Sequence, residues 1–269
     1  MALEGLVGLD DPLSAHLPAA ARIRRRGDRE ITLADLAAHA SGLPRLPRGF
    51  LRRALRERDN PYRSTSLAAL DASLARTRPR RAPGRLARYS NLGAALLGNA
   101  LAHRAGTDWE SLVRARVLGP LGMDATWVHP PDGLRDRLAG GHTRRGHPTP
   151  RWDVPAFAGA GALSSSADDL LTLAAAVVRP PDSRLGEAIR LSVVPRARMA
   201  GRHEVCLGWL RSPLGRTGRT ALWHSGGTGG FRAILAIVPA TGAAAVVLSD
   251  WARSVEHSGR WLLERLLPA

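Results

Sequence analysis

Tyr89-Ser90-Asn91 puts a phenol and a carboxamide two residues apart, where an Arg-rich irregular stretch meets a helical pattern. A phenol exchanges protons near neutrality only where a neighbouring cation pulls its pKa down from about 10. A carboxamide offers both a donor and an acceptor, so Asn91 is suited to orient a substrate amide. The plainer alternative is that Asn91 caps the helix and Tyr89 packs beside it. The second stretch is His224-Ser225-Gly226-Gly227-Thr228-Gly229-Gly230, directly after the apolar pair Leu222-Trp223. Glycine there lets backbone come close to a ligand and offers N–H groups to a developing oxyanion. His224 could add a donor or a positive charge at the rim. The alternative is a glycine-rich connection between two strands. Gly-x-Ser-x-Gly, Cys/His metal spacings and phosphate-binding glycine loops do not occur in the chain, so no metal or cofactor is expected.

The elements that must carry these residues follow from caps and periodicity. Met1 to Gly5 reads as the tail of a helix, and Leu9-Asp10-Asp11-Pro12 as a turn. Thr32 and Asp35 signal a helix start, with Leu33, Leu36 and Ala37 on its apolar face and Gly42 as its stop. Arg45 to Arg88 is polar and irregular, suited to short helices and loops. Asn91 opens a strong helix through Leu92, Ala95, Leu96 and Ala100 that Gly106 stops. Thr107 to Glu110 caps a further helix that Pro120 is expected to end. Pro130 to Pro155 is loop-like, and Ser166 caps a helix reaching about Val178. From there the period changes from helical to alternating. Val205–Leu210, Thr220–His224, Phe231–Val238 and Ala243–Leu248 read as strands, with Pro239 to Gly242 as a hairpin turn. Val255 to Leu267 reads as a closing helix with Trp261, Leu262 and Leu266 on one side. The order predicts an α+β fold: a mostly helical part over about 13–180, then an antiparallel sheet and closing helix over about 200–269, in a single domain of 1–269.

Composition is unusual in one respect. The 269 residues carry a net charge of +16, and all 39 of the pooled Lys and Arg residues are Arg. An acidic partner is one reading; a GC-rich coding bias, which favours Arg over Lys, explains the same numbers. Only Arg24-Arg25-Arg26 and the stretch Arg76 to Arg88 are dense, so no specific nucleic-acid partner is expected. The single cysteine, Cys206, sits in an apolar stretch as a small buried hydrophobe. No apolar run approaches the length of a membrane span. Met1 to Leu9 has no basic region or cleavage site, which reads as a cytoplasmic protein unless a leader precedes it.

Taken together, these segments resemble the serine β-lactamase and penicillin-binding-protein superfamily, in its branch of class C β-lactamases, D-alanyl-D-alanine carboxypeptidases and family VIII esterases. The likeness runs through Leu9-Asp10-Asp11-Pro12, Ile31-Thr32-Leu33, His39-Ala40-Ser41-Gly42-Leu43-Pro44, Tyr89-Ser90-Asn91-Leu92-Gly93 and Pro120-Leu121-Gly122-Met123. It continues through Ala160 to Asp168, Gly208-Trp209 and the His224 segment. The resemblance implies a β-lactamase/transpeptidase-like fold and a small-molecule or peptide substrate: a D-Ala-D-Ala peptide, a β-lactam or an ester. It implies that Tyr89 relays protons and Asn91 orients the substrate amide. His224, Ser225 and Gly226 would line the substrate, and Gly227 would donate an oxyanion-hole N–H.

The family's nucleophile and base lie in Ser-x-x-Lys, and a chain without lysine does not contain it. Ser73-Leu74-Ala75-Arg76 is no substitute, because Arg does not deprotonate in proteins. The resemblance places the serine upstream of Met1, with the nucleophile helix and the N-terminal strands of the fold. Loss of the nucleophile from a comparable unit costs on the order of a millionfold in turnover. Tyr89 without the adjacent ammonium should stay protonated, and a sheet without those strands should keep an open edge. Two further readings use the same scaffold: a catalytically inactive truncated homologue, and a basic protein that binds anionic polymers.

Overall fold

Thr32 and Asp35 close a reciprocal capping box that starts α1 (Leu33–Ala37). The computed structural model describes residues 1–18, 21–84, 86–215 and 217–267, so Arg85 of the dense Arg stretch lies outside the described residues. The chain divides into two compact units. The first comprises Met1–Val113, Asp153–Ala162 and Pro195–Gly208; the second comprises Arg114–Trp152, Leu163–Val194 and Trp209–Ala269.

In the first unit α1 stops at Ala37, and the positive φ falls at His39 rather than at a glycine. Gly42 was expected to stop this helix. It does have positive φ (71°), but an added Cβ there would strike the backbone carbonyl of Arg81, so it serves close approach of two chain segments. α2 (Phe50–Arg56) and α3 (Leu67–Leu74) are the short helices expected in the polar stretch. α4 (Asn91–Ala105) is the longest element and ends on Gly106 in the left-handed region, as its sequence predicts. Its N-cap is Ser90, whose Oγ accepts from Gly93 N at 2.9 Å; Asn91 is therefore not the cap. Leu92, Leu96 and Ala100 are fully buried, each aliphatic Leu side chain adding about 1.5–3 kcal/mol of transfer free energy. α4 packs on α1 and on a 3-10 segment, Pro155–Ala160, which it approaches closely at Gly98 and Gly159. α5 (Trp109–Val113) starts with Asp108, whose carboxylate accepts from Ser111 N at 2.9 Å.

The second unit opens with a π turn over Arg114–Leu118 and α6 (Gly119–Leu121). Pro120 sits inside the first turn of α6, where its missing N–H costs nothing, and Gly122 makes the stop expected of the proline. The proline-rich segment contains α7 (Asp132–Arg135) and a two-residue ribbon of β1 (Gly141–His142) with β2 (Pro148–Thr149). α8 (Ala167–Val178) is capped by Ser166, as expected, and α9 (Arg184–Ser192) by Ser183.

Back in the first unit, β3 (Ala197–Arg198) and β4 (Glu204–Val205) form a short antiparallel pair. The strand expected over Val205–Leu210 is broken, because Gly208 takes φ 89°. Cys206 is fully buried. The second unit then forms a meander of β5 (Leu210–Pro213), β6 (Thr220–Gly227), β7 (Arg232–Val238) and β8 (Ala243–Ser249), every neighbour antiparallel. Among the described residues β8 pairs only with β7, so it is an edge. One face of the meander carries Ala221, Ile234, Ala236, Val238 and Ala245 against Leu263 of α10 (Glu256–Arg265). α8 also packs on β7 and β8.

Trp261, Leu262 and Leu266, the expected apolar side of the closing helix, remain 49%, 39% and 58% exposed. Gly259 and Leu263 are the residues that face the sheet, since a side chain at 259 would collide with Ile234. Among the described residues no helix is long and apolar enough to cross a membrane.

Candidate functional site

In the first unit, the start of α4 fixes a corner of ring and amide groups. Ser90 anchors it: its Oγ donates to Pro44 O at 2.8 Å and its N donates to His39 Nδ1 at 3.4 Å. Accepting at Nδ1 leaves the proton of a neutral His39 ring on Nε2. The His39 ring packs at a tilt of 47° against Tyr89, with centroids 4.4 Å apart. His39 takes φ 53°, sparsely populated for a non-glycine residue, so local contacts hold this backbone against its preference. Arg45 lies with its guanidinium 5.6 Å from the Tyr89 ring centroid, and Arg45 O accepts from Leu92 N at 3.1 Å.

Burial is the largest influence on the Tyr89 phenol and raises its pKa above the ordinary value; Arg45 pulls the other way and loses. The protonated phenol is therefore the form at neutral pH in this arrangement. Asn91, freed from capping, donates from Nδ2 to Tyr62 Oη at 3.3 Å. Tyr62 is in turn clamped between Phe50 (centroids 4.7 Å) and Phe157 (5.0 Å), and its N donates to Asn60 Oδ1 at 3.1 Å. Burial raises the Tyr62 pKa as well. Tyr89 and Asn91 thus sit together, with Arg45, His39 and Tyr62 around them. Arg45 and Tyr62 were not singled out in the sequence, where tens of residues separate them from Asn91 and no spacing rule links them.

In the second unit, His224, Ser225, Gly226 and Gly227 are not a loop but the last four residues of β6, paired with Leu235, Ile234, Ala233 and Arg232 of β7. β5 pairs with β6 only as far as Trp223. Among the described residues no strand covers the other edge over His224–Gly227, so backbone N–H and C=O groups there stand ready for an extended ligand. Strand alternation sends His224 and Ser225 to opposite faces, Ser225 to the side that carries α10. Burial holds the His224 pKa below its ordinary value, so the neutral imidazole, a hydrogen-bonding group rather than a cation, is the form at neutral pH. Ser225 Oγ donates to Glu256 Oε1 at 2.7 Å. Gly226 and Gly227 are exposed. The next two glycines have another use: a Cβ at Gly229 would meet the Trp152 indole at 2.6 Å, and one at Gly230 would meet Thr149 and Gly141. They allow close packing under the ribbon of β1 and β2.

Comparison with known proteins bears on the family and the fold. The Beta-lactamase family model matches residues 1–268. The chain belongs to the beta-lactamase family. It is 30% identical over 254 residues to the D-alanyl-D-alanine-carboxypeptidase/endopeptidase AmpH of Escherichia coli (strain K12), covering 88% of this chain and 62% of that protein's length. It is 26% identical over 280 residues to a beta-lactamase of Pseudomonas fluorescens, covering 91% of this chain and 73% of the relative. Among solved structures it superimposes on a class C beta-lactamase with a TM-score of 0.82 at 20% identity, over 99% of this chain and 77% of that one. A beta-lactamase/D-alanine carboxypeptidase from Yersinia pestis gives 0.75 at 24% identity, over 98% and 76%. These likenesses establish the class C beta-lactamase fold and the α+β class expected from the sequence.

Proposed function

We propose that the chain carries the substrate-facing groups of a serine hydrolase that works by acyl transfer on D-Ala-D-Ala-type peptides, β-lactams or esters. In this reading Asn91 orients a substrate amide and Tyr89 passes protons between the nucleophile and the leaving group. His224, Ser225 and Gly226 line an extended substrate, and Gly227 N–H faces a developing oxyanion. A half-buried, protonated Tyr89 is competent as a donor, and becomes a base only where a cation lowers its pKa further than Arg45 does. The observation that carries the reading is the uncovered β6 edge at His224–Gly227, in a chain whose family match spans residues 1–268. Support also comes from Ser90, which takes over the capping of α4 and leaves Asn91 to Tyr62.

A second reading, favoured by the absence of lysine from the 269 residues, is a family member that binds such ligands without forming an acyl-enzyme. Incubation of the purified chain with a fluorescent penicillin separates the two. A band that survives denaturation supports acyl transfer; saturable fluorescence polarisation without such a band supports binding alone; neither signal sinks both. In any form of the chain that acylates, Tyr89→Phe slows acylation by at least about a hundredfold, the scale of a lost acid–base group. Unchanged acylation by that variant removes Tyr89 from the reaction.

A further inference from the structure

The two arginine-dense stretches of the sequence, Arg24-Arg25-Arg26 and the run that begins at Arg76, lie side by side in the first unit. Arg24 Nε donates to Ala75 O at 2.8 Å, and Arg26 Nη1 donates to Pro79 O at 3.5 Å. Further along, a Cβ on Gly27 would stand 3.0 Å from the Ala82 Cβ, and one on Gly84 would stand 4.0 Å from Arg29 Nη2. The partners advance together, so residues 22–30 and 75–84 run alongside each other in the same direction. The local pattern turns the charges outward: Thr77 and Pro79 are buried, while Arg76, Arg78 and Arg80 alternate with them and are exposed. All nine arginines of the two segments are exposed, against two carboxylates, Asp28 and Glu30. Among the described residues only Arg25 and Arg29 of the nine have carboxylate partners, Glu30 and Asp35. Arg24 and Arg26 keep their charge when they donate to carbonyls. Coding bias accounts for the number of arginines in the chain. It does not account for two dense stretches folding against each other, where like charges repel.

We propose that this strip binds a linear phosphodiester chain through its phosphates alone. A planar guanidinium gives a phosphate two parallel N–H donors and stays charged at any working pH. Residues 22–30 and 75–84 contain no aromatic side chain, so bases find nothing to stack on. None of the exposed large apolar side chains falls in either segment, which favours a polymer laid along the strip over insertion into a bilayer. Two adjacent rows of positive charge suit a chain that repeats its negative charge at regular intervals. The proposal does not depend on the acyl-transfer reading and uses none of its residues.

The test uses the full 269-residue chain and a fluorescein-labelled abasic deoxyribose-phosphate oligomer of about 20 units, longer than a typical single-strand site. Fluorescence polarisation should report binding that weakens steeply as salt rises, because each phosphate contact releases counterions. Arg76→Gln, Arg78→Gln, Arg80→Gln and Arg81→Gln made together should weaken binding at least about tenfold at about 0.1 M salt. They should also reduce the log–log salt slope by about 3, at ~0.7 for each of the lost contacts. The control changes Arg137, Arg144, Arg145 and Arg190 to Gln; it removes the same charge from exposed sites of the second unit and should leave affinity and slope nearly unchanged. An equal loss in both variants reduces the effect to net charge and overturns the proposal, as does no polarisation change at low salt. A thymidine oligomer of equal length that binds more than about tenfold tighter than the abasic one overturns it too, because bases then carry the affinity. Tighter binding to phosphatidylglycerol vesicles than to the oligomer, at equal phosphate concentration, points to a membrane surface instead and also overturns it. Losing repelling charges should not lower the urea midpoint of the strip variant. If that variant fails to fold, the 15N-labelled wild-type chain decides: amides of residues 22–30 and 75–84 shift on adding the abasic oligomer, and shifts confined to other residues sink the proposal.

Discussion

The corner at Tyr89 and the edge at His224 present their groups in opposite ways. At the corner every functional atom is a side-chain atom, and each is held by another side chain: Tyr89 by His39, Asn91 by Tyr62, Tyr62 by Phe50 and Phe157. At the edge the functional atoms are mostly backbone, held in line by the pairing of β6 with β7 and left exposed by the early end of β5. The difference teaches where each is vulnerable. A group that must shift protons or aim an amide needs a dry, crowded setting, so its position depends on packing. A strand edge that must accept many extended ligands needs only regular hydrogen bonding and small residues, so its position tolerates side-chain change.

The sharpest way to break that contrast is to hollow out the packing. Phe157 is 1% exposed and touches the rings of both Phe50 and Tyr62. Phe157→Ala should cost about 3–5 kcal/mol, the usual range for a buried Phe truncated to Ala, read as a lower urea midpoint. Amide signals of Tyr89–Asn91 should move, while those of His224–Gly227 stay within the range of a surface substitution. Equal movement in both segments would show that the corner owes no more to packing than the edge does.

That dependence also explains what was legible beforehand. Helix starts at Thr32 and Ser166, the stop at Gly106 and the strands around Pro239–Gly242 were readable, because each is decided by neighbours within four residues. Tyr89, Asn91 and the His224 segment were readable as a pattern. Their partners were not: Tyr62 and Arg45 meet Asn91 and Tyr89 only after the loops between them fold. Glu256 lies 31 residues from Ser225 and meets it through an α10–β6 contact that no local rule encodes. The closing helix forms where expected, but the face it packs was not legible, for a related reason. Large apolar side chains at Trp261, Leu262 and Leu266 pointed to one face, but contact with Ile234 is made by the smallest residue, Gly259. Similarly, Gly186 inside α9 weakens any helical signal, yet it is needed there because a side chain would strike the Pro181 carbonyl.

A smaller effect tests one link of the corner. Tyr62→Phe keeps the ring between Phe50 and Phe157 and removes the oxygen that accepts from Asn91. The loss should be about 0.5–1.5 kcal/mol, that of one ordinary hydrogen bond. The side-chain NH2 resonances of Asn91 should shift and broaden as the amide gains rotamers, while the backbone amides of α4 stay in place. An unmoved Asn91 side chain would show that Tyr62 does not orient it.

The smallest effect belongs to the edge, and its sign follows from burial. The His224 pKa is lowered in the folded chain, chiefly because burial disfavours the imidazolium. In the unfolded chain the same ring titrates near its ordinary value of about 6.5. As pH falls below that value the unfolded chain takes up the proton first, so folding stability drops; the loss is complete once pH passes below the folded pKa. Above the ordinary value both states are neutral and His224 adds no pH dependence. Urea midpoints should therefore fall on going from about pH 8 to about pH 5.5, and the fall should be smaller in His224→Asn, which keeps a polar group but does not titrate. Carboxylates that titrate at lower pH contribute alike to both proteins and cancel in the difference. If the two proteins lose stability in parallel, His224 is as well solvated as a free imidazole. The edge would then carry a positive charge in mild acid instead of the neutral imidazole that its burial implies.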